Sequence, residues 1–231
     1  ILSSLVGSEM CIRDSSIGAD ITWEWDYDSI EASNLSVVTG EYNTCAIKDN
    51  GDVYCWGRNG NGQIGNGQIS PINTACGQAG HKCKDVPTLT RVKGANGYDA
   101  AGLAFGDRHA CALLDDGAVV CWGRNNAGQL GTSGGDKDTP QSINLGAGRT
   151  ATSIHAGGNY NCAILDDASV KCWGQNDEGQ LGRGFTSSSE NTPATINSLG
   201  SGRTAVALAT AFSTVCCLLY TSPSPRDSRV S

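Results

Sequence analysis

Basic residues are in short supply. The 231 residues carry 16 Lys and Arg against 23 Asp and Glu, a formal charge of −7. A nucleic-acid ligand needs clustered Lys and Arg to neutralise phosphates, so this balance argues against one. Long apolar runs are absent as well, and nothing approaches the roughly 20 residues of a membrane-spanning helix. Helix-favouring runs are scarce. Histidine occurs three times, and no Ser-His-Asp arrangement can be traced. No Gly-rich turn leads into a helix whose N-terminus could hold a phosphate.

What the chain does have is glycine, 31 residues of it, and 39% apolar residues in short stretches. Enough apolar surface exists to bury a core, and the Gly-rich joints between short runs predict many strands and tight turns. The expected fold class is all-β.

The two ends stand apart. Cys217 to Asp227 reads CLLYTSPSPRD and Leu5 to Asp14 reads LVGSEMCIRD. One DNA string and its reverse complement encode both, and that string resembles a sequencing adapter. Residues 1–15 and 217–231 are therefore expected to be non-native and are left out of fold reasoning. The single methionine, Met10, lies in the first of them. Residues 16–34 remain unassigned, or form part of an upstream blade; ITWEWDY there alternates like a strand. Asn34-Leu-Ser36 is a glycosylation sequon that matters only in a secreted eukaryotic protein.

Between the ends, the organising feature is a repeat. Three segments superpose: Cys45-AIKDNGDVY-Cys55-WGRNGNGQIG, Cys111-ALLDDGAVV-Cys121-WGRNNAGQLG and Cys162-AILDDASVK-Cys172-WGQNDEGQLG. A fourth begins at Phe212-Ser-Thr-Val-Cys216 and is expected to be truncated there. The long first period contains an insertion, placed at 66–90.

Each segment reads as a β-hairpin with a three-residue polar turn: Asp49-Asn50-Gly51, Asp115-Asp116-Gly117 and Asp166-Asp167-Ala168. Such a turn places its last residue in the left-handed region, where Gly has no steric cost. Ala168 breaks the pattern at an expected cost of about 1 kcal/mol. With residue 50 as turn centre, Cys45 faces Cys55 and Ile47 faces Val53. The same symmetry opposes Cys111 to Cys121 and Leu113 to Val119, then Cys162 to Cys172 and Ile164 to Val170. The other face carries Ala46, Ala112 and Ala163, followed by Leu114 and Leu165. A strand apolar on both faces is sandwiched between layers, as the middle strands of a propeller blade are. Gln141-SINL and Thr150-ATSIHAG are read as two further strands before the third hairpin, giving four per repeat. A parallel β-helix is the structural rival.

The run C-W-G-x-N-x-x-G-Q-L/I-G, preceded by a C-A-L/I-L-D-D-G-like hairpin, resembles the regulator of chromosome condensation repeat over residues 35–216. That resemblance implies a partial β-propeller, about three blades of a seven-bladed ring with four-stranded antiparallel blades. The founding member is a guanine-nucleotide exchange factor for a small nuclear GTPase, and no residue here matches that machinery. The implied role is a non-enzymatic scaffold that binds a protein partner, or another ligand, through propeller loops. Regulation of a small GTPase by nucleotide exchange is the alternative, and a hydrolase or lectin on a propeller a weaker third. No cofactor, metal or catalytic residue is assigned.

Directly opposed residues on antiparallel strands have Cα atoms about 4.5–5.5 Å apart, within reach of a disulfide. The three hairpin pairs, Cys45–Cys55, Cys111–Cys121 and Cys162–Cys172, are expected to be bridged, with buried thiols as the alternative. They resemble the cysteine-bearing repeats of extracytoplasmic family members, so the cell envelope or the outside of the cell is the expected location. Cys76 and Cys83 lie in the insertion; with His81 they supply only three of the four ligands a structural zinc site wants, so a loop disulfide is favoured over zinc. Trp56, Trp122 and Trp173 are expected to anchor the core or blade contacts, with ligand stacking as the minority reading. Gly57, Gly123 and Gly174 are read as turn formers, and the Asp pairs as turn caps rather than catalytic or calcium-binding carboxylates. His109 varies to Asn43 and Tyr160 in the other repeats, which speaks against a catalytic histidine, and His155 is read as a strand residue.

Overall fold

The computed structural model describes residues 36–69, 85–92, 99–197, 199–200 and 203–221. The insertion cysteines Cys76 and Cys83, with His81, fall outside these, as do 1–35, Asn34 included.

The chain is all-β. The first blade is formed by β1 (Ser36–Thr39), β2 (Asn43–Ile47), β3 (Val53–Arg58) and β4 (Asp85–Arg91). The second is formed by β5 (Ala100–Phe105), β6 (His109–Leu114), β7 (Val119–Gly123) and β8 (Lys137–Ser142). The third comprises β9 (Ala151–Ala156), β10 (Tyr160–Leu165), β11 (Val170–Asn176) and β12 (Ser187–Thr195). In each, the strands pair antiparallel in sequence order. A two-stranded sheet follows, β13 (Arg203–Thr210) with β14 (Val215–Thr221). This is a partial β-propeller.

Hairpin register follows from the cysteine spacing. Cys45 pairs Cys55 and Ile47 pairs Val53; Cys111 pairs Cys121 and Leu113 pairs Val119; Cys162 pairs Cys172 and Ile164 pairs Val170. The turns close alike: the N–H of Gly51 donates to the Lys48 carbonyl, that of Gly117 to Leu114 and that of Ala168 to Leu165. All three third-position residues are left-handed, with φ of 76°, 80° and 60°. At the turn centres, Asn50, Asp116 and Asp167 each accept the backbone N–H two residues on, a local Asx turn.

The core lies between blades. Cys45, Ile47, Val53 and Cys55 cluster with Ala110, Ala112, Leu114 and Trp122 of the second blade. Cys111, Val119 and Cys121 cluster with Ala163, Leu165 and Trp173 of the third. Cys162, Ile164, Val170 and Cys172 meet Ala205 and Leu208 of β13. The cysteine face of one sheet thus packs on the alanine face of the next, where small side chains let the sheets approach.

Three expectations about element placement are corrected. The stretch Gln141-SINL is not a strand of the third blade: β8 ends at Ser142 and pairs with β7, while Ile143 and Leu145 follow as buried anchors. The insertion does not extend to residue 90, because Asp85–Arg91 is the outer strand of the first blade. Gly57, Gly123 and Gly174 are not in turns: they lie within β3, β7 and β11 at register shifts in the pairing with the outer strand. Their φ values are 103–111°, and a Cβ there would come within 2.3–2.6 Å of a backbone carbonyl of the loop before β2, β6 or β10. Only glycine fits such a bulge. At the other end, β14 runs past Cys216 through Thr221.

Candidate interaction surface

Most of the residues that recur in every repeat are occupied in holding the blades. Cys45–Cys55, Cys111–Cys121 and Cys162–Cys172 are each joined as a disulfide, with Cα atoms 4.1 Å apart. Trp122 and Trp173 are fully buried. Their indole N–H groups donate to the main-chain carbonyls of Gln63 at 2.9 Å and Gln129 at 3.0 Å, each in the preceding blade. Trp56, in the first blade, is only half-buried.

The N-x-x-G-Q loop after each third strand is a clip. Asn59, Asn125 and Asn176 accept the N–H of Ile64, Leu130 and Leu181. Their amide nitrogens donate onward to the carbonyls of Gln68, Thr132 and Phe185. Gln63, Gln129 and Gln180 accept the N–H two residues before them. Among the described residues no group of three or more His, Cys, Asp or Glu is placed to hold a metal.

His109 is completely buried, with Nε2 2.9 Å from Asn161 Oδ1 of the third blade. Burial pushes its pKa down to about 4 against the opposing hydrogen bond that its Nε2–H donates to Asn161, so the ring is neutral and tethers two blades. Tyr160 does the same job one blade on: its hydroxyl donates to the Thr214 carbonyl at 2.6 Å, and burial raises its pKa to about 12.

One set of differences between blades lies on a rim of short loops at one end of the strands. Gly40-Glu41-Tyr42, Gly106-Asp107-Arg108, Gly157-Gly158-Asn159 and Ala211-Phe212-Ser213 lead into β2, β6, β10 and β14. The loops are stitched together: the Asp107 N–H donates to the Gly158 carbonyl and the Gly158 N–H to the Phe212 carbonyl. A Cβ at Gly106 would lie 2.5 Å from the Gly157 carbonyl oxygen, so that position is glycine for close approach. Arg58, Arg124 and Gln175 join the rim, their N–H groups donating to the carbonyls of Tyr42, Arg108 and Asn159.

The first two blades make this rim charged. Arg108 Nε is 3.2 Å from Glu41 Oε2. Slight burial works against the Glu41 carboxylate, but hydrogen bonds from Arg108 and Tyr42 hold it below the ordinary range. Burial, then the charge of Glu41, raises Asp107. Arg58 stacks over the Tyr42 ring at 5.2 Å. In the third blade the rim is neutral, and Phe212 beyond it is 69% exposed. Reading the repeats did not single out these residues. The signal available was the reverse of the repeat: positions between the loop's first residue (Gly40, Gly106, Gly157, then Ala211) and the start of the second strand where the copies disagree.

Comparison with known proteins agrees with this architecture. A family model described as the regulator of chromosome condensation (RCC1) repeat matches residues 35–63, 101–129 and 151–180, and a second of the same description matches 50–113, 116–164 and 167–217. The chain is 31% identical over 204 residues to the probable E3 ubiquitin-protein ligase HERC4 of Homo sapiens, covering 88% of this chain and 17% of that protein. It is 32% identical over 153 residues to the ultraviolet-B receptor UVR8 of Arabidopsis thaliana, 65% of this chain and 31% of the receptor. The crystal structure of Prp20p from Saccharomyces cerevisiae, a protein studied for binding to Gsp1p and histones, superposes with a TM-score of 0.66 at 17% identity, over 83% of this chain and 44% of that one. The chain therefore spans less than half the length of each of these relatives.

Proposed function

Because the chain belongs to the regulator of chromosome condensation (RCC1) repeat family, we propose that it works as a non-enzymatic interaction scaffold whose contact surface is the loop rim of the blades. One observation carries this. The recurring Cys side chains join strands, Trp122 and Trp173 join blades, and the recurring Asn and Gln side chains brace their own loops, while side chains that differ from blade to blade, Glu41, Tyr42, Asp107 and Arg108, gather on one rim. Function on a repeat scaffold resides where the copies differ. The three disulfides support an oxidising setting, in the cell envelope or outside the cell.

The test exchanges loops. Replacing Glu41-Tyr42 and Asp107-Arg108 with the Gly-Asn pair of the third blade keeps a loop this fold already accommodates. Proteins crosslinked to the native chain should be lost from the exchanged one. Undiminished crosslinking would remove the rim from consideration. The same protein should leave nucleotide release from a panel of small GTPases unaccelerated; a catalytic increase with any of them would put exchange in place of scaffolding.

A further inference from the structure

We propose that the rim of the first two blades binds an acidic peptide segment of a partner protein, with Arg58 and Arg124 gripping its carboxylates and Tyr42 packing beneath it. This rests on the scaffold reading and adds the chemistry of the partner.

Arg58 and Arg124 occupy equivalent positions on neighbouring blades, each one residue past the bulge glycine and each pinned through its own N–H to the adjacent loop. Neither guanidinium donates a side-chain hydrogen bond among the described residues, whereas Arg108 between them is bound to Glu41. Arg58 sits over the Tyr42 ring, 5.2 Å from its centroid, and Tyr42 is 56% exposed. A guanidinium held on an aromatic face has lost much of its freedom before a ligand arrives and still presents its fork for a two-bond grip on a carboxylate. Tyr and Arg are also among the side chains on which protein interfaces concentrate their energy; here Tyr42 is exposed and the two arginines are half-buried. The equivalent of the two arginines in the third blade is Gln175, so the site ends at the second blade.

The same rim distinguishes a peptide from a phosphate chain. Glu41 and Asp107 sit among the arginines, and the two carboxylates already feel each other, since the charge of Glu41 contributes to the raised pKa of Asp107. A nucleic acid brings a charge at every step of its backbone and would set phosphates against both. An extended peptide carries side chains toward one face only at every second residue. It can place carboxylates on Arg58 and Arg124 while offering backbone N–H donors to Glu41 and Asp107. The opposite end of the blades, where the Asp-rich hairpin turns lie, repels such a segment.

Fluorescence anisotropy on the full 231-residue chain tests this with a labelled ten-residue peptide alternating Glu with Ser, its Lys counterpart and a ten-nucleotide single strand. The Glu peptide should bind, and its affinity should fall on the order of tenfold or more between about 0.05 M and about 0.5 M salt. Arg58→Gln with Arg124→Gln should cost a similar factor. Arg149→Gln, which removes a charge paired with Asp166 and Asp167 at the other end of the blades, should cost nothing. Equal binding by the double variant, equal loss in Arg149→Gln, or tighter binding of the oligonucleotide or the Lys peptide overturns the proposal. If the crosslinked partner is still lost on loop exchange while the Glu peptide does not bind, the acidic-segment assignment falls and the scaffold stands.

Discussion

Ala168 holds the third turn position with φ of 60°, where the other two hairpins have glycine. A Cβ in the left-handed region costs about 1–2 kcal/mol, and glycine gives back about 0.5–1 kcal/mol of that through the freer unfolded chain. Ala168→Gly should therefore raise stability by about 0.5–1 kcal/mol, read as a higher urea midpoint at unchanged slope. The reverse change is not symmetric. A Cβ on Gly117 would meet the Thr150 Cβ at 2.5 Å, so Gly117→Ala adds a clash to the strain and should destabilise by more than Ala168→Gly stabilises. A midpoint that does not move in Ala168→Gly would show that the unfolded chain, not the turn, decides the balance at this position.

At the level of the hairpin, three copies of one cysteine spacing made the register legible, because strand side chains alternate with period two and only one turn centre opposes all three pairs. The same alternation, apolar on both faces, announced strands sandwiched between sheets. The outer strands were not legible. Lys137–Ser142 reads KDTPQS and Ser187–Thr195 reads SSSENTPAT, with no apolar alternation and a proline that only an edge or bulge tolerates. The partner of Trp122 was equally hidden, since it is a main-chain carbonyl 59 residues away and a carbonyl leaves no mark in sequence. The pairing of the hairpins has a chemical consequence. Without reduction, peptide mapping should recover Cys45–Cys55, Cys111–Cys121 and Cys162–Cys172 as linked pairs, each closing a short loop worth about 2–3 kcal/mol. The free thiols of Cys216 and Cys217 should take an alkylating label under native conditions. Full labelling of the six hairpin cysteines would withdraw the oxidising-compartment assignment, while leaving the register in place.

Across the whole molecule, each sheet uses its neighbour as the other half of its core, so the sheet at the end of the series has a face with no cover among the described residues. In the first three blades the face carrying the first cysteine is closed by the alanine face of the next blade. On β14 the same register position is Cys216, followed on that face by Leu218 and Tyr220 of the adapter-like end segment of this chain, which are 63% and 56% exposed. Val206 and Phe212 are 58% and 69% exposed on the same hairpin, which thus carries half of the exposed large apolar side chains among the described residues. Apolar surface gathered this way, beside the free edge of a strand, favours association. The 231-residue chain should accordingly self-associate as its concentration rises, with the apparent mass in sedimentation growing across the micromolar range. Leu218→Lys combined with Tyr220→Lys puts charge on that face without touching the three blade cores and should return the chain to a monomer with its near-ultraviolet circular dichroism intact. An unsubstituted 231-residue chain that stays monomeric at every concentration, with a sharp cooperative melt, would show that three blades and a hairpin suffice as a self-contained unit.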